Sequence, residues 1–436
     1  MGGKASLILV LGFAFTLGYI SLNMNRLASR STSNMAMYNE ITTSHNLAVA
    51  GANVGLSMLY QSPGLRGLLT DQSLNTGAFQ NGRFVVRIDS VNPSTLRLRS
   101  VSRLTMSTSN IVGDTVEVFF SGMTKQTFTL FAYMSNFQSN SLFWITGDTI
   151  WGRTHTNGKL SISGSPVFMG KVTATNGFNK PPGTNPNHGI FKQGWETGTA
   201  TIQFPNDLSE IATAAGSAGR WYGTNDIWVQ LDPGTGANND GWAYVYNAAG
   251  WNPANIIDSV DLSDPGFNGV IASAREVHVK GTLDGALTVS STERSLWIED
   301  NVLNEKHPND PTTDDILGLV SEKDIVIANN AANNSDCEIH GSLFSRKNSL
   351  IAQNYNTRGV CGDLRIVGSI VEDHAGATGT FHPGPPPVLT NGFHSRFTYD
   401  DRLNDNNFRP PFYPGFWTHG LQVVNWWESI RIPEFY

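Results

Sequence analysis

Ten histidines, 36 carboxylates and two cysteines are the side chains through which this 436-residue chain could do chemistry, and their spacing argues against an assembled catalytic centre. His155, His278, His340, His374, His382 and His394 are scattered, without the close spacing of zinc ligands. No Gly-x-Ser-x-Gly elbow, phosphate-binding loop or His-Glu-x-x-His helix occurs. His155, within His-Thr-Asn-Gly, reads as a turn residue that caps a strand. Loops 232–240, 309–315 and 400–407 carry carboxylates and amides that calcium could use, yet none has the order of an EF-hand, and they read as solvated turns. The sequence therefore predicts no catalytic residue, no metal and no cofactor.

Aromatic rings are the remaining candidates. Trp195, Trp221, Tyr222, Trp228, Trp242, Tyr244, Tyr246 and Trp251 share one Gly- and Asn-rich region, and Trp417, Trp426, Trp427, Phe435 and Tyr436 crowd the C-terminus. Exposed rings stack on sugars or seal subunit contacts. Covering the open end of a stacked core is the simpler reading, because such cores require caps. Surface glycans stay as candidate partners. Nucleic acid does not: only 15% of residues are charged, the net charge is −7, and no basic run occurs that would track phosphates.

The elements that would carry these residues begin with an apolar rod. Residues 5–25 hold no charged side chain and 7–22 are almost wholly apolar, about the twenty residues a helix needs to cross a bilayer. Residues 26–60 contain no Pro, and Leu27, Met35, Tyr38, Ile41, Ala48, Ala52, Leu56 and Leu59 recur at roughly helical spacing. The helix is expected to run to Gln61 and to stop at Ser62, Pro63 and Gly64, a length of roughly 80 Å. Ala48, Gly51, Ala52 and Gly55 are small residues at a spacing that lets a backbone come close, whether that of a second helix or of the chain's own sheet. Three fates compete for the apolar rod: removal as a signal peptide, service as a plain membrane anchor, or bundling with copies of itself. A single-pass anchor has no need of such length, which favours bundling.

Beyond the helix the chain reads as β. Residues 82–89, 95–101 and 112–120 are strands, with Asn92-Pro93-Ser94 as a turn. In the third, Val116, Val118 and Phe120 form a dry face and Thr115, Glu117 and Phe119 a wet one. From about residue 131 a pattern of apolar, x, apolar, x, Gly recurs, as in 277–283, 339–343 and 364–370. Short strands and Gly turns at 20–30-residue spacing suggest a parallel β-helix, or solenoid, at least over 270–380, against an irregular sandwich. Val277, Val279, Ile325, Ile327, Leu364 and Ile366 would then point inward, and His278, Lys280, Val326 and Arg365 outward. Cys337 and Cys361 enclose about one coil, which would put them in disulfide range on adjacent rungs, worth roughly 3 kcal/mol; two free buried thiols are the alternative.

Lys-Ala-Ser-Leu-Ile-Leu-Val-Leu-Gly at 4–12, followed by Asn46-Leu47-Ala48-Val49-Ala50-Gly51-Ala52-Asn53, resembles the N-terminus of type IV pilin-like proteins of the minor-pilin kind. That resemblance implies prepilin-type export and a helix buried in a filament core. Such pilins carry a Glu five residues into the mature chain, whereas the first acidic residue here is Glu40, so the usual assembly contact has no counterpart. Gly147-Asp148-Thr149-Ile150-Trp151-Gly152 followed by His155-Thr156-Asn157-Gly158, with Tyr399-Asp400-Asp401-Arg402-Leu403 and Arg409-Pro410-Pro411-Phe412-Tyr413-Pro414, resembles a bacterial domain family of unassigned function found behind pilin-like N-termini, which brings no chemistry to transfer.

The expected fold is mainly β with one long N-terminal α-helix: a helix at 1–61, a pilin-like sheet at 62–130, and a solenoid-like body at 131–436 closed by a C-terminal cap. The expected role is that of a structural subunit of an extracellular type IV pilus-like filament on a bacterial surface. Its partners would be identical copies of itself, and the inner membrane before assembly. Leu7, Leu11, Phe15, Leu22, Ala48, Gly51 and Gly55 are the expected filament-core contacts. A membrane-anchored adhesin or carbohydrate-binding protein, and then a polysaccharide-active enzyme, are the alternatives.

Overall fold

The computed structural model describes residues 2–61, 72–79, 82–92, 95–105, 111–121, 125–139, 142–179, 189–235, 241–247, 250–382, 388–405, 407–417 and 422–429. The expected helix stop at Ser62 to Gly64, the turn at Pro93 and Ser94, loop residues 236–240 and 406, and Phe435 and Tyr436 lie outside the described residues. The chain is mostly β with one long helix and divides into two compact units, Met1–Thr124 with Thr418–Tyr436, and Lys125–Trp417.

In the first unit a single helix, α1, spans Gly2–Gln61. Four strands follow as an antiparallel meander: β1 (Gln72–Phe79), β2 (Gly82–Asn92), β3 (Thr95–Thr105) and β4 (Ile111–Ser121). Strict alternation sorts their faces. Phe84, Val86, Ile88, Leu96, Leu98, Leu104, Val116, Val118 and Phe120 are buried, while the opposite face pairs Arg99 with Glu117 at 2.9 Å. That exposed pair contributes little, whereas the apolar face supplies the core.

The strand Gln422–Ser429 pairs antiparallel with β4 and extends this same sheet. This corrects the expected boundaries. The C-terminus supplies an edge strand to the first unit instead of a cap on the second, its backbone meeting the otherwise unpaired N–H and C=O row of β4.

The second unit is built from parallel ladders in which a strand pairs with the next strand but one. Ile227, Val277, Leu296, Ile325 and Leu350 lie side by side on five successive strands, and Val229, Val279, Ile298, Ile327 and Ala352 form the neighbouring column. All ten are buried in one cluster. A second ladder runs through Val270–Ser273, Ala286–Ser291, Ile316–Ser321, Cys337–Ser345 and Val360–His374. Leu364 and Ile366 are also buried, as expected. Val326, expected outside, is buried as well.

The order of strands is not the order of the chain. Val360–His374 pairs in parallel with Tyr133–Phe137, which pairs with Thr154–Thr156, then Val172–Ala174, then Trp195–Thr197. Two runs of strands thus meet in one sheet, with one of the unit's early strands laid beside one of its late ones. A hairpin, Trp242–Tyr246 and Ile256–Asp261, adds antiparallel pairs beside Ile227–Asp232.

The cysteines are free, contrary to the expected disulfide. Cys337 and Cys361 do lie on adjacent strands, but Cys337 is registered with Leu364, three positions beyond Cys361. On the other side of Val360–His374, the pairing with Val388–Tyr399 shifts register between Val360 and Gly362, and at this irregularity the Cys361 Sγ contacts Arg358 Nε at 3.2 Å and Gly359 O at 3.3 Å. Both thiols are buried, and burial, with Asp300 adding to it, pushes Cys337 up to about 12. Such a thiol is inert.

Candidate functional site

The feature of the first unit that demands a partner is the apolar half of α1. Leu7, Ile8, Leu9, Val10, Leu11, Phe13, Phe15, Leu17, Ile20 and Leu22 are all exposed, Phe15 to 74%. They lie on every side of the helix, the pattern of a segment surrounded by apolar material and not of one laid on a sheet. The helix from Ser6 is long and apolar enough to cross a membrane. Covering ten such side chains would release roughly 15–30 kcal/mol, more than the whole stability of an ordinary domain. No position from 5 to 25 is charged, so the segment has no polar face to keep in water.

The second half of α1 behaves differently. Leu47, Ala48, Gly51, Ala52, Gly55 and Leu59 are buried on a single stripe facing β2, β3 and β4. A Cβ on Gly51 would sit 2.3 Å from Ser100 Oγ and 2.8 Å from Phe84, and one on Gly55 would sit 2.6 Å from Val86 and 2.7 Å from Leu98. Ala48, Gly51 and Gly55 are therefore contacts to the chain's own sheet, which corrects their assignment to the filament core. Small residues were needed because a sheet of Phe and Leu presses directly on the helix backbone. Polar pins hold the register: Ser102 Oγ donates to Ser44 O at 2.7 Å, and His45 Nδ1 meets the buried Asp114 carboxylate at 2.7 Å.

Two groups in the second unit bring ligand-type atoms within 4.8 Å of one another: His307, Glu338 and His340, and Asp284, Asp314 and Asp315. The first was invisible to sequence spacing, since the parallel ladder brings it together. The backbone N–H of Asn304 donates to His340 Nδ1 and that of Asn309 donates to His307 Nδ1, both at 3.1 Å. Each ring must then carry its proton on Nε2, and His340 Nε2 donates to Glu338 Oε1 at 2.9 Å. A ring whose Nδ1 lone pair is taken and whose Nε2 is protonated has none left for a metal. Burial holds His340 below the usual histidine range, which keeps it neutral. In the second group Asp315 accepts the Gly285 N–H at 2.8 Å and the Thr313 hydroxyl at 3.0 Å, and burial raises its pKa.

His155 is a buried strand residue, not the turn residue expected. Its Nδ1 meets Thr173 Oγ1 at 2.7 Å, its Nε2 meets Asn157 Oδ1 at 2.9 Å, and burial lowers its pKa. Trp228, offered as a sugar platform or cap, stacks on His278 at 4.1 Å, which stacks on Trp297 at 5.8 Å; the three are register partners on adjacent strands. The column is packing between neighbouring strands, with His278 Nδ1 fixed by Glu299 at 2.6 Å. Trp195 and Trp221 remain well exposed.

Glu372 is a buried carboxylate with a strong consequence for stability. It accepts from Leu350 N at 2.8 Å, Gly376 N at 3.2 Å and Tyr133 OH at 2.8 Å, yet burial outweighs these bonds and raises its pKa from 4.5 to about 7. The folded state then holds a proton that the unfolded chain releases, so stability falls as pH rises from about 4.5 to about 7 and levels off above. The slope from this one group is about 1.4 kcal/mol per pH unit. Thermal melts between pH 5 and 8 are expected to show this fall in the native chain and a flatter profile in Glu372→Gln. Equal slopes in both would show that Glu372 ionises normally.

No protein-family model matches the chain, and no curated protein matches it. Among solved structures, the competence-associated pilin ComZ from Thermus thermophilus is similar at a TM-score of 0.35 and 12% identity, over 89% of this chain and 98% of that one. A likeness of that degree fixes neither fold nor role.

Proposed function

We propose that this chain is a structural subunit of an extracellular type IV pilus-like filament. Residues 7–22 of many copies bundle in the core of the filament, and the strand-rich parts face outward. The observation that carries this reading is an all-round apolar helix surface, continuous with a second half that is already packed on the chain's own sheet. One rigid rod thus presents a sticky end and a fixed handle. Before assembly the same segment fits a bilayer, so the inner membrane holds the subunit until it is drawn into the bundle.

In this reading the second unit is a β-solenoid whose stacked ladders make a stiff outer coat, weakly acidic and rich in hydroxyl and amide groups. Its histidine and carboxylate groups serve packing and hydrogen bonding, and the role is structural instead of catalytic. The missing early Glu leaves apolar burial as the assembly force. Imaging of material sheared from cells, compared with its protein bands, tests the reading: filaments must contain this chain. Retention of the chain in the membrane fraction, with no filaments, would favour the anchored adhesin.

A further inference from the structure

Two sequence motifs that the filament role does not use, 147–152 and 399–403, converge on one groove. Ile150 pairs across the ladder with Phe397 on one side and Phe168 on the other. The next residues along, Thr398 on its strand and Trp151 and Met169 just past the ends of theirs, face the opposite way and continue the row at about the 4.8 Å strand spacing, with the Met169 N–H donating to Ile150 O at 2.9 Å. All three line a groove of about 670 Å³, within the usual range of roughly 300–1,000 Å³ for ligand sites. Arg153, Gln193, Asn309, Asp401 and Asn404 complete its walls.

Its floor is bare backbone. A Cβ on Gly170 would fall 2.0 Å from Gly152 O, and one on Gly152, at φ +107, would fall 2.9 Å from Ala132 and Tyr399. The wall behind is pinned by the Tyr399 hydroxyl, which donates to Thr129 O at 2.9 Å. Trp151 is 49% exposed, so half of a large apolar ring is open to a ligand. The side chains of Arg153, Gln193, Asn309 and Asp401 make no hydrogen bond among the described residues and stand free to take one.

An indole face beside a carboxylate, two amides and a guanidinium matches a ligand with one apolar face and a rim of hydroxyls. Arg153 and Asp401 cancel in charge, which disfavours a polyanion, since that would need clustered cations. An oily ligand would strand the amides and charges unpaired. The open row of strands has a repeat close to that of a linear pyranose chain. We propose that this groove binds a neutral polysaccharide, with Trp151 stacked on one sugar ring and Asp401, Gln193 and Asn309 bonded to its hydroxyls. The site would serve a filament subunit or an anchored surface protein alike, so it does not depend on the filament reading.

Affinity electrophoresis of the detergent-solubilised full chain through native gels containing hydroxyethyl cellulose, xylan, galactomannan or glycogen tests the proposal, with alginate and double-stranded DNA as charged comparisons. At least one neutral polysaccharide is expected to retard the chain. Trp151→Ala is expected to weaken that retardation at least tenfold and Asp401→Asn severalfold, with unchanged circular dichroism. Trp221→Ala, an exposed tryptophan outside the groove, is expected to leave it intact. No retardation by any neutral polysaccharide, retardation that survives both groove variants, or retardation by alginate or DNA alone would overturn it.

Discussion

Gly281→Val is expected to lower the melting temperature of the second unit by roughly 10 °C, a larger effect than most core truncations. Gly281 has a φ of +110, which side chains with a Cβ rarely adopt, and strain of that kind costs about 1–3 kcal/mol. Its missing Cβ also leaves room for the neighbouring strand: the added carbon would lie 2.2 Å from Leu231 O and 2.9 Å from Leu231 N. Backbone cannot swing aside as a flexible side chain can. The two strands must part, and each ladder hydrogen bond lost costs about 1 kcal/mol more. A total of about 4 kcal/mol, at about 2–4 °C per kcal/mol for a unit of this size, gives the expected shift. Gly216→Ala is the control, since that helical glycine has nothing within 4 Å of its added Cβ, and it should melt no lower than the native chain. Calorimetric melts that place Gly281→Val within 2 °C of the native chain would mean the strands are not pressed together there.

Much of this fold was legible because its periods are simple. An uncharged stretch followed by thirty-five residues without Pro predicts a helix to Gln61, and the chain is helical through Gln61. The alternation around Val116, Val118 and Phe120 predicts which face is dry, and all three are fully buried. The inward columns at Val277, Ile325 and Leu364 follow from the same period of two. Pairing order is another matter. Nothing local in residues 133–137 or 360–374 announces that these strands are neighbours, because the partner of a strand is set by the whole unit. The same blindness hid the destination of 422–429, which completes the first sheet.

The candidate sites show where spacing misleads. Counting residues between Cys337 and Cys361 assumes that a fixed spacing brings two positions side by side, but the strand register sets Cys337 against Leu364, three positions past Cys361. Ala48, Gly51 and Gly55 have the spacing of a helix-packing motif, and a sheet uses the same smallness. His307 and His340 are far apart in sequence and their rings are 4.9 Å apart in space. Trp151 was visible only as part of a motif; its role as an open ring in a groove needed the strands on either side of it.

Leu11→Asp is expected to abolish assembly while leaving both units folded. In the single chain Leu11 and Phe15 are open to solvent, so a carboxylate there removes no folding contact. In a bundle of copies the same carboxylate would enter apolar surroundings, where an unpaired charge costs several kcal/mol, repeated in every subunit. No cation lies nearby to offset it, since Lys4 and Arg26 are the nearest charges in the sequence. Phe15→Asp should behave in the same way. The most direct measurement of the central claim is imaging of surface-sheared material from cells carrying either the native chain or Leu11→Asp, paired with melts of the purified proteins. The account predicts filaments containing the native chain, none with Leu11→Asp, and the same melting temperature for both. Filaments that form as well with the charge in place would contradict it.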